Sequence, residues 1–286
     1  MTGPDRATLG QIGQQAHRSA RKASPWLVGF GRFGYVAEGT VYTLIGVLAV
    51  QVALGRGGAT TDNRGALTRI AAAPFGRAIL IALILGILGF ALWRFLQAFL
   101  DTDNVGTEAK GIVNRLGKAG SGAAHIALAL SAVGLLRTGS VGDTSSASAQ
   151  GWTVRLLSQP FGRWLVALVG LVGIAVGCYQ LYKGISAKFR TELHLADLDR
   201  TQERWLIALG RVGYGARGLV FGLIGLFFLV AALRANPAEA RGLDGVLATL
   251  AEQPSGPWLL GAVALGLIAS GIYLFAEARY RRMVVR

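Results

Sequence analysis

Long apolar stretches alternate with short polar segments along the chain of 286 residues. A membrane-spanning helix needs about 20 largely apolar residues. The apolar stretches are too long for strands, and they lack the polar face of a soluble amphipathic helix. The pattern therefore predicts six transmembrane helices, at residues 33–54, 76–100, 119–136, 162–182, 212–233 and 258–276.

Two short motifs recur in each third of the chain and indicate internal repeats. The first has a glycine, a basic residue and a second glycine, and it opens the odd-numbered spans at Gly31, Gly117 and Gly210. The second has a proline followed by a glycine two positions later, and it opens the even-numbered spans at Pro74, Pro160 and Pro254. An aromatic residue follows each of these prolines at the same distance, as Trp93, Tyr179 and Tyr273.

The motifs predict an all-α transmembrane fold, a six-helix bundle built from three tandem two-helix repeats. Each repeat contains two spans, so all copies enter the membrane from one side and a pseudo-threefold axis would run along the membrane normal. The predicted ranges are a basic cytoplasmic N-terminal arm, the three repeats and a short tail, at residues 1–27, 28–105, 106–195, 196–282 and 283–286.

The loop inside each repeat carries apolar residues just before the proline. A proline restricts the residue before it and favours the end of a helix. We therefore expect three short interfacial helices in these loops, with apolar positions at Leu67, Ile70, Leu156, Leu157, Leu247 and Leu250.

Composition and charge agree with a membrane location. Charged residues make up 15% of the chain and hydrophobic residues 52%, whereas soluble domains average about 25% charged residues. The net charge is +14, but the basic residues lie between apolar stretches, so we expect membrane lipids as partners and no nucleic acid. Lys and Arg are twice as frequent on the side that carries both termini, which predicts cytoplasmic termini.

The third repeat resembles an uncharacterised bacterial family of membrane proteins with three tandem two-helix repeats, a domain-of-unknown-function family. The resemblance rests on Gly210–Gly218, on Asn236-Pro237, on Pro254–Leu260 and on Glu277–Arg282. It implies a bacterial cytoplasmic (inner) membrane location and brings no activity. In that family the residue after the repeat's alanine is usually basic, which Arg217 matches.

Three polar residues lie at similar depth inside the odd-numbered spans. Glu38 and Arg217 follow the first glycine of their repeats at the same distance, and His125 adjoins the equivalent position, Ala124. At 1.5 Å per residue they lie roughly 10 Å inside the membrane. An unpaired charge there costs about 2.5–3.5 kcal/mol or more. Either Glu38, His125 and Arg217 line a substrate or ion path, or Glu38 and Arg217 form a structural pair with His125 nearby.

Other motifs favour structural roles. Gly29–Gly34 matches a dinucleotide-binding fingerprint, but no strand precedes it, so close helix packing is the better interpretation. The acidic cluster within Glu192–Asp199 could bind a divalent metal, but a solvated loop is favoured. The small-residue pairs Gly173/Gly177 and Gly218/Gly222 indicate helix packing within the chain. We interpret most aromatic residues, Trp93 and Tyr273 among them, as interfacial anchors.

No pattern of nucleophile and base, or of paired carboxylates, indicates an enzyme. We expect no catalytic residue, no cofactor and no metal ligand. The leading hypothesis is a small-solute or ion transport or permeation protein, or an accessory subunit of one. The alternative is a structural or scaffold membrane protein of the cell envelope without a substrate.

Overall fold

The structure is a computed structural model that describes residues 6–100, 102, 106, 108–139, 145–195 and 198–283. Side chains are described from residue 25 onward, apart from Lys110. Within these ranges the chain forms nine α-helices and no strand. The long helices are α1 (Arg6–Ala53), α3 (Gly76–Phe99), α4 (Ala109–Thr138), α6 (Gly162–Ser186), α7 (Arg200–Arg234) and α9 (Gly256–Tyr280). The short helices are α2 (Asn63–Ala71), α5 (Ser145–Leu157) and α8 (Leu243–Ala251).

All six long helices contain a segment long and apolar enough to cross a membrane. The predicted all-α fold with six spans is therefore confirmed. The helix α1 begins at Arg6, inside the predicted N-terminal arm at residues 1–27. The predicted short helices in the three loops are present as α2, α5 and α8. Leu67 and Leu247 are fully buried, whereas the equivalent Leu156 and Leu157 of α5 are half-buried and the buried residue of α5 is Thr153.

The proline–glycine motif makes the tight turn from each short helix into the long helix that follows. Phe75 and Phe161 adopt left-handed backbone angles, with φ of 59° and 60°. The next residues, Gly76 and Gly162, lie so close to the end of the short helix that a Cβ would overlap its backbone carbonyl oxygens. Gly256 is equally crowded against the end of α8. The motif is thus a steric requirement of the turn.

The long helices pack in the order α4, α3, α1, α9, α7 and α6. Each odd-numbered span lies against the even-numbered span of the repeat before it, with α1 against α9 as the cyclic equivalent. The two spans of the first repeat, and those of the third, also pack together. In the described part of the chain no extensive contact joins α4 and α6, the spans of the second repeat. The pseudo-threefold symmetry of the sequence analysis stays a prediction.

Glycines allow the helix backbones to approach closely. A Cβ on Gly177 would lie 2.6 Å from the backbone nitrogen of Gly222, and a Cβ on Gly39 would lie 2.8 Å from the carbonyl oxygen of Gly271. Such distances leave no room for any side chain, so small residues set the spacing of α6 against α7 and of α1 against α9. The predicted packing role is confirmed for Gly173, Gly177 and Gly218, whereas a Cβ on Gly222 would have no neighbour within 4 Å.

A sequence difference accompanies the missing contact in the second repeat. Gly86 in α3 packs against Ala37, where an added Cβ would lie 2.5 Å from the alanine Cβ, and Gly266 in α9 packs against Ala216 in the same way. The equivalent position in α6 is Val172, which is exposed. Glycine makes the close contact at this position in the first and third repeats, and the second repeat has a valine in its place.

The aromatic residues after the prolines are buried in the first and third repeats and exposed in the second. Trp93 and Tyr273 are 1% exposed, whereas Tyr179 in the second repeat is 53% exposed. The prediction that Trp93 and Tyr273 anchor the membrane interface is wrong, because both rings fill space between packed helices. Only Tyr179 of the three lies at the surface.

Candidate functional site

The structure brings two of the three predicted polar residues into direct contact. Glu38 of α1 and His125 of α4 are 10% and 15% exposed, and the His125 Nε2 atom lies 3.7 Å from Glu38 Oε1. Both residues lie inside segments that can span a membrane. Ionisable groups at such depth cost free energy unless they pair, so the two side chains depend on each other.

The contact of His125 with its own helix defines the protonation of the pair. The Nδ1 atom lies 2.7 Å from the carbonyl oxygen of Ser121. A carbonyl oxygen can only accept, so Nδ1 carries a hydrogen. If Nε2 were bare, its lone pair would face the carboxylate of Glu38. The arrangement is favourable when the pair holds a further proton, either on Nε2 as imidazolium or on Glu38 as the acid.

Arg217 of α7 lies nearby but does not form the predicted pair with Glu38. Its guanidinium carbon is 4.8 Å from the ring centroid of Tyr214 and 5.6 Å from that of Tyr42. Tyr42 is one helical turn along α1 from Glu38, so the aromatic ring takes the place that a carboxylate would have taken. Among the described residues no ion pair of 4.0 Å or less joins Arg217 to an acid. The expected direct Glu38–Arg217 contact is therefore wrong.

A further arginine and the ring of Phe90 complete the site. Phe90 of α3 contacts His125 with 4.6 Å between ring centroids, and the guanidinium of Arg94 lies 4.6 Å from the same phenyl ring. Tyr35 packs edge-on against Phe90. We refer to Glu38, Tyr42, Phe90, Arg94, His125, Tyr214 and Arg217 as the polar cluster.

Several buried polar atoms of this region have no hydrogen-bond partner in the protein. They include Glu38 Oε2, Arg217 Nε, Arg94 Nε and the hydroxyl of Tyr35. Proteins satisfy most buried polar atoms, so unsatisfied ones indicate bound water, a ligand or strain. Glu38, Arg94 and Arg217 each contribute one such atom to the polar cluster, which is therefore the candidate functional site.

On the side of α2, α5 and α8, which we call the short-helix end, the bundle is apolar. Val41, Ile45 and Ala49 of α1 continue from the polar cluster toward this end and are at most 2% exposed. They join a buried core with Leu80 of α3 and Leu260 of α9. Access to the polar cluster from the short-helix end would have to pass through packed side chains.

Hydrogen bonds between the three loops close the short-helix end. Asp62 caps α2 by accepting a hydrogen bond from the backbone nitrogen of Gly65. It also accepts one from the backbone nitrogen of Ser145 at 2.6 Å. Asp244 Oδ1 accepts from the hydroxyl of Ser145 at 2.6 Å and from the backbone nitrogen of Ser146 at 3.0 Å. Residues from all three repeats therefore meet at one point.

A second charged network lies at the opposite end, where α3, α6 and α9 finish. Lys183 Nζ contacts Glu192 Oε1 at 2.6 Å, and Arg281 contacts both Glu192 Oε2 at 2.9 Å and Glu277 Oε1 at 2.6 Å. Burial alone would raise the pKa of Glu192, but Arg281 and Lys183 more than offset it and hold the pKa at about 2. Glu192 is 29% exposed, and His194 and Asp199 of the same loop are exposed, as the prediction of a solvated loop expects.

The alternative metal site in this loop has no support in the geometry. Nowhere in the described ranges do three or more His, Cys, Asp or Glu side chains gather in a group that could hold a metal ion. Glu192 forms ion pairs with the side chains of Lys183 and Arg281. The backbone nitrogen of His194 donates a hydrogen bond to the carbonyl oxygen of Tyr280 at 2.7 Å. Asp197 lies outside the described residues.

Sequence reasoning missed Arg94, Tyr42 and the Glu192–Arg281 network. Arg94 and Glu277 are charged residues inside long apolar helices, and such residues are candidates for buried sites. Tyr42 follows Glu38 by one helical turn, which places both on one face of α1. The residue types were visible in the sequence, but their partners are contributed by distant helices.

Comparison with known proteins gives the family of the chain. The family model described as Domain of Unknown Function (DUF1206) matches three times, at residues 33–101, 116–187 and 212–281. An uncharacterized protein of Bacillus subtilis (strain 168), YxxB, is 36% identical over 263 residues, which covers 92% of this chain and 94% of the relative. No solved structure matches the chain significantly. The three matches fall within the three repeats, and the chain belongs to the DUF1206 family of tandem-repeat proteins.

Proposed function

We propose that this protein is a membrane transport or permeation protein, or an accessory subunit of one, whose solute- or ion-binding site is the polar cluster. The observation that carries the proposal is the buried Glu38–His125 pair, which joins α1 and α4 across 3.7 Å and is favourable when it holds a shared proton. Intramembrane ionisable residues commonly form ion or proton pathways.

The unsatisfied polar atoms support a binding role over a purely structural one. A structural pair gains most when every lone pair and N–H group has a partner. In the polar cluster Glu38 Oε2, Arg94 Nε and Arg217 Nε have none within the protein. Water or a bound solute would satisfy these atoms, and a site that exchanges water for solute is the minimum that transport requires.

A scaffold protein without a substrate is the second candidate, and a different observation favours it. The short-helix end is filled by an apolar core and closed by hydrogen bonds from Asp62 and Asp244 to the loop of the second repeat. Glycine contacts fix the helix spacing elsewhere. A transport cycle would have to open this end, whereas a scaffold would keep it closed.

We further propose that the protein lies in a bacterial cytoplasmic membrane with both termini in the cytoplasm. The excess of Lys and Arg on the side of the termini supports this orientation, and the Bacillus relative supports a bacterial source. In this orientation the short-helix end faces away from the cytoplasm, and the polar cluster lies nearer the cytoplasmic surface. Membrane lipids would surround the exposed apolar faces.

The proposal is tested by flux measurements in liposomes that contain the purified protein. A potassium gradient with valinomycin sets the membrane potential, and a trapped pH dye reports proton entry in chloride, acetate, phosphate and gluconate salts. We expect flux above that of empty liposomes in at least one salt. Glu38→Gln should abolish it, because the amide cannot share a proton with His125.

The matched control is Glu239→Gln, which changes the same residue type at a solvent-facing salt bridge with Arg234. It should leave flux unchanged. Liposomes that stay impermeable in every salt, or flux that persists in Glu38→Gln, would contradict the transport proposal and favour the scaffold.

A further inference from the structure

The polar cluster contains more positive than negative charge. Arg217 and Arg94 are both inside it, and Glu38 is its only acid among the described residues. Glu38 is already engaged by His125. Arg94 Nη1 donates to the neutral side chain of Gln97 at 3.3 Å rather than to a carboxylate. In contrast, the nearby Lys183 and Arg281 each contact a carboxylate within 3 Å.

Arg217 is the residue that most needs a counter-ion. It is 9% exposed, and it lies inside a helix that can span a membrane. Arg217 contacts the ring faces of Tyr42 and Tyr214, which attract a cation, and it forms a side-chain hydrogen bond with Tyr42. None of these contacts supplies a negative charge. The Nε atom is buried without a partner. A buried guanidinium in this setting keeps N–H donors available in the plane of the group.

We propose that Arg217 binds an anionic group, a carboxylate or a phosphate, which completes the charge of the polar cluster. The planar guanidinium can donate two parallel hydrogen bonds to either group, a geometry that lysine lacks. The rings of Tyr42 and Tyr214 hold its orientation. The inference rests on the proposed function and names the class of ligand for the same site.

The anion can come from a soluble molecule or from the headgroup of an acidic lipid, since both present the same chemistry. A soluble anion would reach the cluster through water, and a lipid would reach it from the membrane. The experiment has one arm for each source, and both arms measure binding without any requirement for transport.

Binding is measured as thermal stabilisation of the purified protein in a neutral detergent. In the first arm, acetate or phosphate is titrated against chloride, which cannot accept two parallel hydrogen bonds, at constant ionic strength and pH. In the second, phosphatidylglycerol is titrated against phosphatidylcholine. Saturable stabilisation of the wild type in either arm supports the proposal, and the responding arm identifies the source. The absence of stabilisation in both arms would overturn it.

Three variants assign the effect to Arg217. Arg217→Gln should raise the apparent dissociation constant about tenfold or more, because a charge-assisted hydrogen bond is lost. Arg211→Gln removes an exposed charge from the same helix and should bind as the wild type does. Arg217→Lys keeps the charge and covers the case in which the glutamine variant does not fold. It should still bind more weakly than the wild type.

Unchanged affinity in Arg217→Gln or Arg217→Lys would overturn the proposal. The two proposals also fail in different ways. Anion binding that depends on Arg217, in a protein whose liposomes stay impermeable, would leave the anion site standing and contradict transport. Flux that depends on Glu38, in a protein that no anion stabilises, would support transport and contradict the anion site.

Discussion

Alanine at Gly225 tests whether backbone contact between α6 and α7 holds this side of the bundle together. A Cβ on Gly225 would lie 2.6 Å from the carbonyl oxygen of Gly170 and closer still to the backbone nitrogen of Ile174. Ordinary Cβ contacts lie at 3.4–4 Å. Both neighbours are backbone atoms, so no side chain can rotate away, and the helices must separate by about 1 Å.

The control is Gly222→Ala, one turn earlier on the same helix. A Cβ there has no neighbour within 4 Å, so this variant should keep the fold and gain slightly from the better helix propensity of alanine. Overpacking costs about 1–3 kcal/mol, and the propensity gain is about 1 kcal/mol in both variants. Because the propensity gain is common to both variants, they should differ by the cost of overpacking alone, about 1–3 kcal/mol.

Heating the detergent-solubilised protein and measuring the monodisperse fraction by size-exclusion chromatography gives the comparison. One kcal/mol shifts the midpoint of a domain this large by about 2–4 °C, so Gly225→Ala should melt roughly 2–12 °C below Gly222→Ala. Equal midpoints for the two variants would refute the close α6–α7 contact.

Two further predictions concern the ends of the bundle. Glu192→Gln should lower the melting temperature at pH 7 and flatten its pH dependence. The folded pKa of about 2 lies below the ordinary 4.5, so the stabilisation is present above pH 4.5 and lost as the pH falls toward 2. A variant that keeps the full acid sensitivity of the wild type would argue against this network. Asp244→Ala should speed amide hydrogen exchange at the start of α8, because the hydroxyl of Ser145 loses its acceptor. The exposed control Glu252→Gln should leave this exchange unchanged. Equal exchange rates in Asp244→Ala and Glu252→Gln would contradict the hydrogen bonds between the loops.

The sequence predicts the helices well because membrane spans depend on local composition. The six apolar stretches correspond to α1, α3, α4, α6, α7 and α9, and the proline–glycine motif marks a turn that only glycine can make at Gly76 and Gly162. Each of these features is decided within a few neighbouring residues, so a single sequence contains the information.

Contacts between repeats were harder to predict. Equal positions in the repeats suggested that Glu38 and Arg217 would meet, but the side chain one turn beyond Glu38 is Tyr42, and its ring contacts the guanidinium instead. The rotation of each helix and the neighbour that it meets depend on packing across the bundle. Val172, in place of the glycine found in the other repeats, was a visible sign that the second repeat would pack differently.

The protonation of His125 is the most direct test of the polar cluster. Nitrogen NMR on protein with labelled histidine, with His17 and His194 replaced, separates the two ring nitrogens of His125. We expect Nδ1 to be protonated, because it donates a hydrogen bond to the carbonyl oxygen of Ser121. We also expect Glu38→Gln to change the chemical shift of Nε2, which lies 3.7 Å from the carboxylate. An unprotonated Nδ1, or a chemical shift of Nε2 that is identical in the wild type and in Glu38→Gln, would contradict the Glu38–His125 pair.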